Sequence, residues 1–163
     1  MSLATSRKQI AASAKQLDKH LGPSFNDYHH IINWGCGKWP ELTEQYWLDH
    51  YPNLTKRIHY DPNSLAPGIC VSIPYGYETD ILFCANVLNV LDDDLLAEVL
   101  SHIASLNFKA AVIQIHEGDK YGQGRVTRCG YQRNERTSAY LPYLLPFFSD
   151  RTISVRSRLI IIS

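Results

Sequence analysis

Apolar positions along this chain gather into short continuous runs, with two longer amphipathic stretches lying among them. Residues 29–34, through Ile31, Ile32 and Trp34, read as a strand buried on both faces. Residues 6–21 place Ile10, Ala11, Ala14, Leu17 and Leu21 at helical spacing, and Gly22-Pro23 supplies a stop. Residues 40–51 predict a second helix, with Pro40 in its first turn, Glu41 and Glu44 close behind, and Pro52-Asn53 ending it. A second strand is predicted at 58–61 and a third at 69–73, with only residues 62–68 between them, too few for a crossover helix. Residues 81–85 predict a fourth strand. Asp92-Asp93-Asp94 then caps a helix carrying Leu95, Leu96, Val99, Leu100, Ile103 and Leu106. Residues 110–115 form a fifth predicted strand and 117–138 a long loop. Residues 140–148 read as a short apolar helix interrupted by Pro142 and Pro146. Two closing strands, 152–155 and 158–162, leave room only for a tight turn and therefore pair antiparallel. The alternation predicts an α/β fold: a mostly parallel sheet, helices on both faces and an antiparallel C-terminal hairpin.

The turn after the first strand carries the clearest chemistry. Gly35-Cys36-Gly37-Lys38 follows the apolar run directly, and Ile58-His59-Tyr60-Asp61-Pro62 ends the next strand on a carboxylate. Two glycines one residue apart let the main chain turn sharply and approach a ligand that a β-carbon would push away. An acidic residue closing the second strand lies where a ribose would present its hydroxyls. That residue is Asp61, and the pattern is the outline of a nucleoside-cofactor site.

Composition narrows the setting. With 163 residues, 45% hydrophobic and 20% charged, the expectation is a single domain over 1–163. Sixteen basic residues balance sixteen acidic ones, so the chain has no long-range field to draw in nucleic acid or an anionic membrane. No run approaches the ~20 apolar residues of a membrane span, and residues 1–21 lack a signal-peptide core, which predicts a cytoplasmic protein. Cys36, Cys70, Cys84 and Cys129 are scattered without paired ligand spacing and read as reduced core thiols. A zinc site from Cys36, Cys84 and a histidine is the rival reading, and no metal is expected.

Taken in order, these motifs resemble a named family. Ser6-Arg7-Lys8, the Gly35-Cys36-Gly37-Lys38 turn, Tyr60-Asp61-Pro62, the run from Cys84 through Asn86 and Asn89 to Leu91, and Tyr131-Gln132-Arg133-Asn134 span nearly the whole chain. Together they resemble small class I S-adenosylmethionine-dependent methyltransferases, in particular the compact methyltransferase-domain proteins of bacteriophages and mobile elements. The resemblance implies a Rossmann-like sheet and S-adenosyl-L-methionine as cofactor. It places Asn33, Gly35, Cys36, Gly37, Asp61, Pro62, Ala85 and Asn86 at the cofactor, with Asp61 on the ribose and Ile73 or its neighbours against the adenine. Asn33 stands where the family usually has an acidic residue, and Trp39 where a third glycine often lies.

Acceptor chemistry is less specific. His116, following the fifth strand beside Glu117 and Asp119, is the best-placed base, and Asn86 is its partner in the catalytic set; the rival reading makes 116–119 the start of a solvated loop. Arg125, Arg128, Arg133 and Arg136, interleaved with Tyr121 and Tyr131, form a local basic stretch through which a nucleotide or nucleic acid could be gripped. Arg133 and Tyr131 are the substrate-binding candidates, against a solvated loop paired with Glu135. The region after the fourth strand reads Asn86-Val87-Leu88-Asn89 without the paired prolines of DNA amino-methyltransferases, and no Pro-Cys dipeptide occurs, which argues against sequence-specific DNA methylation. The resulting expectation is methyl transfer to a small-molecule, nucleotide or macromolecular acceptor. Two alternatives stay open: a catalytically altered relative that binds a partner or the cofactor without transfer, and a nicotinamide-dependent oxidoreductase.

Overall fold

The computed structural model describes residues 8–64, 66–127 and 130–163. Its strands are β1 (His30–Trp34), β2 (Lys56–Tyr60), β3 (Glu78–Ala85), β4 (Asn107–Gln114), β5 (Arg125–Thr127), β6 (Gly130–Gln132), β7 (Ile153–Arg156) and β8 (Leu159–Ile162). The α-helices are α1 (Leu17–Leu21), α2 (Pro40–His50), α3 (Asp93–Ser105) and α4 (Leu141–Leu144). Among the described residues, no helix is long and apolar enough to cross a membrane.

Six strands make the main sheet in the order β2-β1-β3-β4-β8-β7, the first four parallel and the last two antiparallel. The order places the chain reversal between β1 and β3. From β1 the chain winds outward to β2, and from β3 it winds the opposite way to β4. Because parallel crossovers are right-handed, these opposite windings put α2 and α3 on opposite faces. Trp47 of α2 accordingly packs with Ile31, Ile81, Phe83 and Val112. Leu96, Leu100 and Ile103 of α3 pack with Ile32, Leu82, Ala111 and Ile113. Strands covered on both faces have no polar side to show, which is why β1, β3 and β4 read as unbroken apolar runs. The Asp92 cap forms as expected: its carboxylate accepts the Leu95 N–H at 3.0 Å.

Four elements depart from expectation. The amphipathic stretch at 6–21 is not one helix: a 3₁₀ turn (Ala12–Lys15) is followed by the five-residue α1, and Ser6 and Arg7 lie outside the described residues. Tertiary bonds take the groups that a continuous helix would use. Trp47 Nε1 donates to Ala14 O at 2.9 Å, Tyr51 Oη accepts from Leu17 N at 3.2 Å, and Gln114 Oε1 accepts from Ser13 N at 3.0 Å. A buried indole N–H must find an acceptor, and the turn's carbonyl supplies it.

The strand expected at 69–73 is a single parallel bridge, Cys70 to Tyr60. Cys70 N donates to His59 O at 2.8 Å and Asp61 N to Cys70 O at 3.1 Å, and there the ladder ends. Pro74 has no N–H to extend it, and the chain turns at once, Tyr77 N bonding Pro74 O. Residues 117–138 also hold more order than a loop, since β5 and β6 form a small antiparallel hairpin there. The helix expected at 140–148 is limited to α4, preceded by a 3₁₀ turn (Thr137–Tyr140); Pro142 is tolerated because it falls in the first turn.

Candidate active site

Ligands of open α/β sheets bind beyond the carboxyl ends of the strands where the winding reverses. Here that crevice is bounded by the turn after β1 and the segment after β3. Gly35 and Gly37 both adopt the left-handed backbone, φ +67° and +71°. The Gly35 and Cys36 N–H groups both donate to Tyr60 O, at 2.7 and 3.1 Å, which ties the turn to the end of β2. Asp61 closes the arrangement: Oδ2 accepts the Gly37 N–H at 3.1 Å and Oδ1 the Asn63 N–H at 2.9 Å. A carboxylate offers about four lone-pair sites, so acceptor capacity remains on both oxygens. Pro62 follows in the turn held by the Ser64 N to Asp61 O bond of 3.2 Å.

Gly35 answers a second demand besides its φ. A β-carbon there would lie 2.3 Å from a methyl of Val87, so the turn and the segment after β3 are in direct contact. Between the glycines, burial and then the Asp61 carboxylate push the Cys36 thiol up to about 12. It is therefore protonated and unreactive at neutral pH.

Asn33 is buried at 5% exposure and faces the α2 side of the sheet. Its Nδ2 lies 3.0 Å from His59 Nδ1, whose Nε2 lies 3.0 Å from Glu44 Oε2, and Glu44 also pairs with Arg57 at 2.9 Å. Burial alone would raise the Glu44 carboxyl, but the hydrogen bonds from His59 and Arg57 outweigh it and hold it below its ordinary value. Trp39 stands at the N-cap of α2 at 39% exposure, with Lys8 Nζ 5.1 Å from its ring centre. Ile73, expected at the adenine wall, is buried, and its carbonyl lies 2.9 Å from His102 Nε2. Tyr75 stacks on the same imidazole at 4.7 Å.

Beyond β3, Ala85 is half-buried against the α2-side core and Asn86 takes a left-handed φ of +59°. Asn86 N donates to Gln114 O at 2.8 Å, and Asn86 Oδ1 accepts from Gln114 Nε2 at 3.2 Å. His116 is exposed just past β4. Its backbone N–H meets Asn89 Oδ1 at 3.4 Å and its carbonyl meets Gln132 Nε2 at 3.4 Å, while its ring has no hydrogen-bond partner among the described residues. Asn89, only 2% exposed, also reaches Gln132 Oε1 with its Nδ2 and accepts the Arg133 N–H at its carbonyl.

The basic stretch divides. Arg125 and Arg136 are exposed, and Arg128 lies outside the described residues. Arg133, expected at the substrate, is 4% exposed and its side chain makes its bonds inside the protein. Nε reaches Glu135 Oε2, Nη1 reaches Leu91 O and Asp93 Oδ1, and Nη2 reaches Tyr143 Oη and Glu135 Oε1. Four hydrogen bonds and the Asp93 ion pair thus occupy the guanidinium, which has five N–H donors. Tyr131 is half-buried, its ring packed over Gly124, where a β-carbon would collide with the phenol oxygen. Asp119, Tyr121, Gln123, Gly124, Arg125 and Asn134 line a polar recess of about 380 Å³ in the same loop.

Glu117, beside His116, is a pin rather than a solvated loop residue. Its Oε1 accepts both the N–H and the hydroxyl of Thr137, at 2.8 and 2.9 Å, and Oε2 faces Lys120 at 3.3 Å. The Thr137 N–H, with its hydroxyl and Lys120, holds this carboxyl below the ordinary carboxylate range despite burial. A depressed carboxyl stabilises the fold above its unfolded pKa, and that stability is lost as pH falls through the lower folded value. The urea midpoint of the protein is therefore expected to drop in acid below about pH 4.5, and the gap between wild type and Glu117→Gln should narrow over the same range. A gap independent of pH would remove Glu117 from this role.

The residues that reading the sequence missed are Ser13, Gln114, Asn89 and the His59–Glu44 pair. Their signal was present as polar side chains set into otherwise apolar runs, Gln114 at the end of β4 and Asn89 within Val87-Leu88-Asn89-Val90-Leu91.

Neither a protein-family model nor a curated protein sequence matches the chain. Solved structures do. A Burkholderia thailandensis 1,6-didemethyltoxoflavin-N1-methyltransferase, solved with S-adenosylhomocysteine, is similar at 12% identity and TM-score 0.63, over 93% of this chain and 75% of that one. Human N-acetylserotonin methyltransferase in complex with S-adenosylmethionine is similar at 14% identity and TM-score 0.60, over 93% of this chain and 51% of that one. A methyltransferase from Archaeoglobus fulgidus is similar at 18% identity and TM-score 0.54, over 86% and 70%. At such identities the likeness is one of fold, and the chain has the Rossmann-like fold of the class I methyltransferases.

Proposed function

We propose that this protein is an S-adenosyl-L-methionine-dependent methyltransferase. The observation that carries the proposal is the left-handed Gly35–Gly37 turn, closed on Asp61 at the point where the sheet reverses its winding. The site's chemistry fits the cofactor: a glycine turn in which a side chain at Gly35 would collide with Val87, and a carboxylate with unused acceptor capacity beside it. Gly35, Cys36, Gly37 and Asn33 would hold the methionine end, Asp61 and Pro62 the ribose, and Ala85 and Asn86 the region of the sulfonium. When bound, the cofactor supplies an electrophilic methyl group. The chain's own contribution is placement of the acceptor, which can account for much of the rate in such displacements. Where the acceptor must lose a proton, the exposed and unpartnered His116 imidazole is the base. The bound structures of the two similar methyltransferases support the same cofactor class.

Titration calorimetry tests this reading. S-Adenosylmethionine and S-adenosylhomocysteine are expected to bind and NAD is not. Asp61→Ala should weaken S-adenosylhomocysteine by roughly 30-fold, the worth of a charged hydrogen bond of about 2 kcal/mol. Unchanged affinity in Asp61→Ala would move the site elsewhere, and NAD binding alone would favour the oxidoreductase. Binding without release of S-adenosylhomocysteine from any acceptor would favour the altered, non-transferring relative.

A further inference from the structure

We propose that Asn86 faces the crevice as a hydrogen-bond donor, so that this position recognises an oxygen bearing free lone pairs, carboxylate or hydroxyl, and disfavours an amino group. The inference rests on the methyltransferase reading of the crevice and adds to it the polarity of one recognition position.

The polarity follows from a chain of bonds whose first member is unambiguous. Ser13 is 2% exposed, and its backbone N–H, which can only donate, lies 3.0 Å from the Gln114 side chain. Its hydroxyl lies 2.8 Å from the same atom. That atom is therefore the amide oxygen, and the amide nitrogen of Gln114 occupies the other end. The nitrogen lies 3.2 Å from Asn86, and since it has no lone pair to offer, the Asn86 atom there is the oxygen Oδ1. The Nδ2 donors of Asn86 are left on the opposite side. Among the described residues they meet no partner, and the buried side-chain atoms without partners are His30 Nε2 and Tyr140 Oη, not Asn86 Nδ2. The donors are therefore accessible, on the side of the amide away from Gln114.

Turning the Asn86 amide over would set NH₂ against NH₂ at Gln114. The backbone resists displacement as well, because the Asn86 N–H is held by the Gln114 carbonyl at 2.8 Å and φ is +59°. Gln114 thereby grips Asn86 at both ends, and Ser13 fixes Gln114. A donor pair in this place complements lone pairs. It opposes an amine, whose N–H groups need acceptors and whose lone pair must stay free to attack. The matching oxygen has two possible sources, the amino-acid carboxylate of the cofactor or the oxygen of the methyl acceptor.

The side-chain NH₂ resonances of Asn86, assigned by their loss in Asn86→Asp, read the proposal without requiring turnover. In the wild-type protein they are expected to move when S-adenosylhomocysteine is added but not with methylthioadenosine, which lacks the carboxylate, if the cofactor is the source. If the acceptor is the source, they will move only when catechol or benzoate is added to the protein saturated with S-adenosylhomocysteine. Gln114→Glu keeps an acceptor for Ser13 but needs a donor from Asn86, so the amide turns over. In that variant the oxygen-bearing probe that moved the resonances should bind roughly tenfold more weakly. The proposal is overturned if S-adenosylhomocysteine binds while the Asn86 resonances ignore it and both oxygen probes, or if aniline moves them as far. Absence of S-adenosylhomocysteine binding would instead remove the cofactor reading beneath it.

Discussion

Gly35→Ala is expected to lower stability by about 2–5 kcal/mol and to abolish binding of S-adenosylhomocysteine. Two independent costs add. An alanine held at φ +67° pays about 1–2 kcal/mol for a backbone region that L-residues avoid. Its β-carbon would also meet the Val87 methyl at 2.3 Å, and forced overpacking costs about 1–3 kcal/mol. Val87 adjoins Asn86, so strain that its side chain does not absorb passes to the opposite wall of the crevice. The double variant Gly35→Ala/Val87→Ala separates the costs. It removes the collision while leaving the backbone term, so its urea midpoint should lie between those of wild type and the single variant, after allowing for Val87→Ala alone. A single variant with a wild-type midpoint would show that the turn and Val87 are not in contact.

The same turn was legible in the sequence because its cause is local. A glycine pair after a buried strand has few uses other than a sharp turn, and Asp61 at the end of the next apolar run sits in register with it. The doubly covered strands and the Asp92 cap were legible for like reasons, periodicity and end chemistry being properties of a few neighbouring residues. What was illegible depended on partners remote in sequence. The stretch at 6–21 has helical spacing, but Ser13 bonds Gln114, 101 positions away, and Leu17 bonds Tyr51, 34 away, and these bonds break the helix. Residues 69–73 are apolar enough for a strand, yet Val71 is 56% exposed and only Cys70 finds a ladder partner. In the candidate site, polarity was the hidden quantity: an asparagine's type says nothing about which end of its amide faces a ligand. The burial of Arg133 was hidden for a related reason, since a basic residue in a polar loop looks solvated until its partners are known.

Arg133→Met is expected to be the most damaging single change outside the glycine turn, lowering stability by about 3–5 kcal/mol. The guanidinium joins three separate parts of the chain: Leu91 just before α3 and Asp93 at its start, Glu135 in the long loop, and Tyr143 on α4. Methionine fills comparable volume but donates nothing, so the Leu91 carbonyl and the half-buried Glu135 carboxylate lose partners that water cannot fully replace. Lysine is no substitute, because one ammonium cannot reproduce five donors in a planar fork or the stacking over Tyr143, 4.7 Å from the guanidinium carbon. Most of the penalty should lie with Glu135. The Asp93 side chain is 78% exposed, and its ion pair is worth little in water. Pairing Arg133→Met with Glu135→Gln should therefore recover a large part of the loss, whereas pairing it with Asp93→Asn should recover almost none. For a chain of this size the single variant's Tm should fall by roughly 10 °C. The outcome also separates two roles for this side chain. A substrate clamp would leave Tm near wild type and raise only KM, whereas an anchor lowers Tm without any ligand present, because its bonds to Leu91, Glu135 and Tyr143 are made within the protein.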